Sequence, residues 1–286
     1  TGGSAGGIGV KKGPIWVTHC YIHNNGKGSL GDGNRGGIHA MRLENSIIEN
    51  NYFYNNSGAA DNNKAHIIIY SDYLYLNYDV NNCNKGNEIR YNLFAGTTHT
   101  AIKDKAAQFL GAGHTSGLMS DMTYKTLGNN IHHNIASATA MFIMAQQDFE
   151  QVHHNIADGC RISGEEGSRF DPIYWICSYN NTVINSYLAN TMGYSITYNG
   201  DNLDLAWFCA NNIVSNFGTD YYSPSIGCAV MWNYQACDKN YTWTNTLIDR
   251  NLIYKPSTST QHFGLPNSAA CKSTRWVTTT AFNSAR

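Results

Sequence analysis

Ile131-His132-His133-Asn134-Ile135-Ala136 returns, nearly letter for letter, as Val152-His153-His154-Asn155-Ile156-Ala157, 21 residues later. A pattern that recurs after about two dozen residues marks a solenoid, in which each repeat is one rung stacked on the last. Fainter copies run along the rest of the chain. Aligned on one asparagine, they end at Asn25, Asn51, Asn92, Asn134, Asn155, Asn185, Asn212 and Asn251. The intervals between these pivots are 26, 41, 42, 21, 30, 27 and 39 residues. The longest fit either two rungs with one degenerate copy or one rung carrying a long loop.

Between pivots lie short runs with β-branched or aromatic members, such as Asn45-Ser-Ile-Ile-Glu49 and Thr182-Val-Ile184. Runs of this length and composition read as strands. No window carries an apolar stripe at helical spacing; residues 138–147 come nearest and read as a buried strand. Asparagine fills 35 of 286 positions. It tolerates the left-handed backbone region, and its side chain bonds to nearby backbone groups, which is what a bend after every short strand requires. With rungs about 4.8 Å apart, one asparagine per rung at one corner makes a ladder of side-chain amides, each donating to the next.

The fold class expected is all-β, one domain over residues 1–286, with a glycine-rich lead-in at 1–14 and a loop and last strand over 256–286. The repeated Ile-x-x-Asn-x-Ile pattern resembles the right-handed parallel β-helix of the pectin-lyase-like group, over roughly residues 15–255. That resemblance implies on the order of ten rungs with an asparagine ladder. The competing reading is an irregular all-β sandwich with asparagine-rich turns. Pro14-Ile-Trp16-Val-Thr18-His19-Cys20 is similar to the Trp-x-Asp-His motif of pectate lyases, with Thr18 in place of the aspartate. It supports the fold rather than pectate cleavage.

Net charge is −1 and only 14% of residues are charged. The basic footprint of a duplex nucleic-acid binder is absent. No apolar stretch approaches the length that spans a bilayer, so no membrane partner is expected. The opening Thr1-Gly-Gly-Ser-Ala-Gly-Gly7 is a poor cover for an open strand edge, so either a cap or a neighbouring subunit is expected there. Eight cysteines without metal spacing, beside 19 Tyr and 6 Trp, suit a secreted, extracellular protein. Cys160 with Cys177 and Cys228 with Cys237 are close enough in sequence to form disulfides; buried apolar thiols are the alternative.

Four clusters carry candidate chemistry. In the first, Glu88-Ile89-Arg90 precedes His99, Lys103, Asp104 and Lys105. Lys103 and Lys105 share one face of a strand and Asp104 takes the other. A lysine held near a second cation loses proton affinity and can act as a base. The resemblance to polysaccharide lyases implies that Lys103 or Lys105 abstracts the proton beside a uronate carboxylate. Arg90 would grip that carboxylate, Asp104 would contact substrate, and His99 or a tyrosine would protonate the leaving oxygen. A solvated face of alternating charge is the alternative. The second cluster is the Trp16–Cys20 segment described above. The third is a row at one repeat position, His23, Glu49, Arg90, His132, His153 and Asp249, in which His132 and His153 could contact substrate, share a metal or shuttle a proton. The fourth is acidic. Glu165 and Glu166, with Asp201 and Asp204, are hard-oxygen candidates for calcium, the one cofactor suggested; turn chemistry is the alternative. The paired-aspartate and Gly-His-Gly signatures of polygalacturonase-type hydrolases are missing; only Gly113-His114-Thr115 occurs.

Two functions stay open. One is an extracellular lyase or epimerase acting on an acidic polysaccharide laid along a groove. The other is a structural or adhesive protein, such as a fibre subunit that stacks head to tail.

Overall fold

The computed structural model describes residues 7–25, 36–41, 43–56, 65–70, 85–96, 100–105, 128–137, 141–145, 150–165, 176–185, 194–198, 207–216, 230–234, 247–254, 263–266 and 274–277. No helix occurs among them. The chain advances in units of three short strands. The first is β1 (Ile8–Val10), β2 (Trp16–Thr18) and β3 (Tyr21–His23); the second is β4 (Gly36–Met41), β5 (Ile47–Glu49) and β6 (Tyr52–Tyr54). The third is β7 (Ala65–Tyr70), β8 (Glu88–Arg90) and β9 (Leu93–Ala95); the fourth is β10 (Thr100–Lys105), β11 (Asn130–His132) and β12 (Ile135–Ser137). The fifth is β13 (Met141–Ala145), β14 (Gln151–His153) and β15 (Ile156–Asp158); the sixth is β16 (Arg161–Glu165), β17 (Ile176–Tyr179) and β18 (Thr182–Ile184). The seventh is β19 (Tyr194–Tyr198), β20 (Trp207–Ala210) and β21 (Ile213–Ser215); the eighth is β22 (Val230–Tyr234), β23 (Leu247–Asp249) and β24 (Leu252–Tyr254). Two more strands follow, β25 (Phe263–Pro266) and β26 (Thr274–Val277).

Each strand pairs with its counterpart one unit away, in parallel, so three sheets run side by side along the stack. The first holds β1, β4 and every third strand onward to β25; only its last pair, β25 with β26, is antiparallel. The second sheet runs from β2 to β23 and the third from β3 to β24, eight strands in each. A sandwich of antiparallel sheets is therefore excluded. The strand expected within 138–147 is β13, and the last strand expected near Trp276 is β26; β1 lies inside the glycine-rich lead-in. The described residues hold eight complete units rather than about ten. The intervals of 41, 42 and 39 are each a single unit, because Asn51 bonds directly to Asn92, Asn92 to Asn134, and Asn212 to Asn251.

Three-residue strands expose their ends and bury their middles. Val17, Ile48, Ile89, Ile131 and Val152 form the buried middle row of the second sheet. Ile22, Phe53, Phe94, Ala136, Ala157, Val183 and Val214 form that of the third. The two rows belong to one hydrophobic cluster, with Phe53 stacked on Phe94 at 4.9 Å. His66 is buried against both rings, and desolvation pushes its pKa down to about 3, with the Ala95 carbonyl opposing. The imidazole is thus neutral core material, held by the Asn56 amide at 3.0 Å.

The corner between the second and third sheets is built by two residues. The first adopts left-handed backbone in every unit: His19, Asn50, Tyr91, His133, His154, Asn180, Asn211 and Arg250, with φ between 50° and 55°. The second is Asn51, Asn92, Asn134, Asn155, Asn181, Asn212 or Asn251, with Cys20 in the first unit. Each Nδ2 from Asn51 to Asn212 donates to Oδ1 of the next asparagine, at 2.9–3.1 Å. Each backbone N–H donates to that same oxygen. The second Nδ2 proton reaches a backbone carbonyl of the preceding unit, such as Ile89 for Asn134. Two of the pivots aligned by sequence sit elsewhere. Asn25 bonds to Asn56 at the far end of the third sheet, and Asn185 follows β18 while Asn181 holds the corner. Both bends need the same backbone chemistry, so a local pattern cannot distinguish them.

Of the cysteines, Cys20, Cys177 and Cys209 are free thiols, so the expected Cys160–Cys177 disulfide does not form. Cys160 packs into the core, whereas Cys177 belongs to the outward-facing first row of the second sheet. Cys228 and Cys237 lie outside the described residues.

Candidate functional site

The outward rows of the second sheet gather most of the polar and aromatic chemistry that is described. Its third-position row reads Thr18, Glu49, Arg90, His132, His153, Tyr179, Ala210 and Asp249. This is the row anticipated from the sequence, with one exception: His23 is on the third sheet, paired with Tyr54. The first-position row runs through Glu88, Asn130, Gln151 and Cys177. Beside them the left-handed corner adds Tyr91, His133 and His154.

In-register parallel pairing stacks like on like. The His132 and His153 rings lie 5.0 Å apart and 4° from parallel, and His133 and His154 lie 5.1 Å apart and 2° from parallel. Tyr179 continues the first stack, 4.8 Å from His153, and Tyr91 packs 5.1 Å from His133. Within each unit the two imidazoles meet edge to face through their Nδ1 atoms, at 2.7 Å for His132–His133 and 2.8 Å for His153–His154. Glu88 anchors the group. Its Oε2 lies 2.8 Å from His132 Nε2, and it accepts from Asn130 Nδ2 at 3.2 Å. Asn130 Oδ1 in turn lies 2.8 Å from His153 Nε2. Arg90 Nε donates to Glu49 at 2.8 Å, which raises the guanidinium pKa, and its Cζ sits 5.9 Å from the Tyr91 ring.

Burial, with neighbouring imidazoles, disfavours charging His153 and His133. Burial, then His132, His154 and His133, depress the His153 pKa to about 4. His133 is lowered as well, by desolvation, then by His132 and His154. Both shifts favour the uncharged rings, which can accept hydrogen bonds and act as bases.

The structure brings Arg90, His132 and His153 together but carries Lys103, Asp104 and Lys105 on β10 of the first sheet. There they pair in register with Ile68, Ile69 and Tyr70. His99 lies outside the described residues, as do Glu166, Asp201 and Asp204; Glu165 ends β16. Among the described residues no group of three or more His, Cys, Asp or Glu side chains is placed to hold a metal ion. In the second cluster, Trp16 is exposed, Thr18 Oγ1 lies 2.7 Å from His19 Nδ1, and Cys20 fills the asparagine position of the corner. His133 and His154 were not singled out as site residues, and Glu88 was grouped with Arg90 without a role of its own. The signal for the first two was the doubling in His-His-Asn, which sets one histidine on the strand and the next on the bend.

No protein-family model matches the chain, and comparison with curated proteins and with solved structures finds no match.

Proposed function

We propose that the chain is a right-handed parallel β-helix of the pectin-lyase-like kind and an extracellular carbohydrate-active protein, most specifically a lyase or epimerase for an acidic polysaccharide. The observation that carries this reading is the outward strip of the second sheet. It repeats guanidinium, carboxylate, imidazole and phenol groups at one strand spacing, and a periodic strip matches a periodic, extended ligand. Aromatic faces suit the apolar faces of sugar rings, and amides, imidazoles and carboxylates suit their hydroxyls. Arg90 uses one of its five donors on Glu49, leaving a fork for a uronate carboxylate. Lys103, Lys105 and His99 belong to this proposal as sequence-derived candidates for base and proton donor, and calcium as its candidate ion.

The test is incubation of the protein with a panel of uronate polymers, following ultraviolet absorbance of unsaturated ends and, for epimerisation, the sugar composition of the product. One polymer is expected to respond, and Arg90→Ala to lower kcat/KM on it by about 100-fold, as loss of a charged transition-state contact does. No binding and no chemical change on any polymer would overturn the reading. Lys103→Ala/Lys105→Ala separates the two faces: full activity there removes the lysines from the reaction.

A second reading, a structural protein that associates with its own copies, is favoured by the third sheet. Its outward first-position row is Tyr21, Tyr52, Leu93, Ile135, Ile156, Thr182, Ile213 and Leu252. Every member except Thr182 is an exposed large hydrophobic residue.

A further inference from the structure

We propose that His133 is a general base whose Nε2 is coupled through His132 to the Glu88 carboxylate. This rests on the lyase or epimerase reading for its substrate, but not for its hydrogen-bond logic.

A carboxylate only accepts, so the 2.8 Å contact from Glu88 places a proton on His132 Nε2. In the neutral ring His132 Nδ1 is then a lone pair. The 2.7 Å contact between Nδ1 atoms requires His133 Nδ1 to donate, which leaves His133 Nε2 bare. The neighbouring pair follows the same sequence one unit on. Glu88 orients the Asn130 amide nitrogen toward itself, so Asn130 Oδ1 accepts from His153 Nε2. His153 Nδ1 then accepts from His154 Nδ1, and His154 Nε2 accepts from Asn180 Nδ2 at 3.3 Å. His133 Nε2 is thus left bare at an exposed corner, whereas the parallel His154 ring, 5.1 Å away, has its Nε2 engaged by Asn180.

The two relays differ at their inner ends. When His133 Nε2 takes a proton, its Nδ1 proton can pass to His132 Nδ1, so the positive charge comes to rest beside Glu88. The His154–His153 relay ends on a neutral amide oxygen instead. His133 is therefore the base. On a uronate, His133 Nε2 removes the proton beside the carboxylate. The electron pair forms the ring double bond as the bond to the leaving oxygen breaks, and solvent water protonates that oxygen; in epimerisation a proton returns to the opposite face instead. Arg90 neighbours His132 in register and faces the carboxylate. The groups around His133 are Tyr91, His132, His153 and His154, with Arg90 over Tyr91 and Glu49 and Glu88 behind. The lowered proton affinity of His133 agrees with an uncharged base.

The test has two arms on the intact protein. In the first, nitrogen-15 NMR of the imidazoles is expected to show His133 and His154 protonated on Nδ1, and His132 and His153 on Nε2. Glu88→Gln should lower the His133 titration midpoint by about one pH unit, the effect of removing a nearby opposite charge. Nε2-protonated His133, or a midpoint unmoved in Glu88→Gln, would overturn the relay whether or not any polymer reacts. In the second arm His133→Asn is used, because asparagine occupies the same left-handed corner in Asn50, Asn180 and Asn211. On the polymer that responds, kcat should fall by about 100-fold or more with little change in KM. Added imidazole should restore part of the loss, and Glu88→Gln should shift the acidic limb of the pH profile to lower pH. Cleavage by His133→Asn at the unaltered rate would remove His133 from the chemistry while leaving the lyase reading intact.

Discussion

Asn155 shows how one residue type can define a corner. Its Oδ1 accepts from both the backbone N–H and Nδ2 of Asn134, and its Nδ2 donates to the Ile131 carbonyl and to Asn181. All of these atoms belong to a buried column. Asn155→Ala would strand the Ile131 carbonyl and two donors of Asn134, while Asn181 Oδ1 keeps the backbone N–H of residue 155, and each unsatisfied buried group costs about 1–3 kcal/mol. Some relax toward water, so a loss of about 3–5 kcal/mol is expected from denaturant unfolding, against under about 1 kcal/mol for the exposed corner change Asn180→Ser. Equal effects of the two would mean that the column contributes nothing beyond local turn preference. At this scale the sequence was informative where a residue type has one job. The pivots Asn51, Asn92, Asn134, Asn155, Asn212 and Asn251 were legible because few side chains both cap a bend and bridge to the next rung. Asn25 and Asn185 were misaligned because a second bend uses the same residue. His133 and His154 were given no role; their partnership with His132 and His153 depends on edge-to-face contact across a corner, which spacing along the chain does not encode.

The elements are minimal strands of three to six residues, so each sheet's character is set by what repeats in register. The second sheet repeats polar and aromatic groups outward; the third repeats aliphatic and tyrosine side chains. Both were present in the sequence as alternation within short runs. Which face each row shares became readable only once the long connections were assigned to single units. The third-sheet row spans seven strand intervals, about 34 Å, and carries no charged residue. Nothing along it repels a second copy laid against it. An exposed apolar patch of that extent usually marks an interaction surface. If copies associate there, light scattering should show a concentration-dependent mass that Ile156→Lys/Ile213→Lys returns to monomer without loss of polymer binding. A monomer at all concentrations would dismiss lateral association and leave the polysaccharide reading unopposed by this face.

For the whole molecule, fold and function both depend on one arrangement: residues a single unit apart in sequence are nearest neighbours in space, whatever the length of the connection between them. The near-identical hexapeptides predicted this for their own pair, and an all-β stack followed. Arg90 lies on the second sheet and Lys103 and Lys105 on the first, because residues close in sequence fall on different sheets when the chain bends between short strands. The arrangement is tested most directly by chemical bridging. Ile135 and Ile156 are exposed and directly paired, whereas Ile135 and Ile213 are three strand spacings apart, about 14 Å. With Cys20 replaced by serine, Ile135→Cys/Ile156→Cys should react with dibromobimane to give an intramolecular, fluorescent bridge located by peptide mapping, and Ile135→Cys/Ile213→Cys should not. If the first pair is modified at both thiols without bridging, or both pairs bridge equally, the stacked arrangement and the imidazole relay built on it are contradicted together.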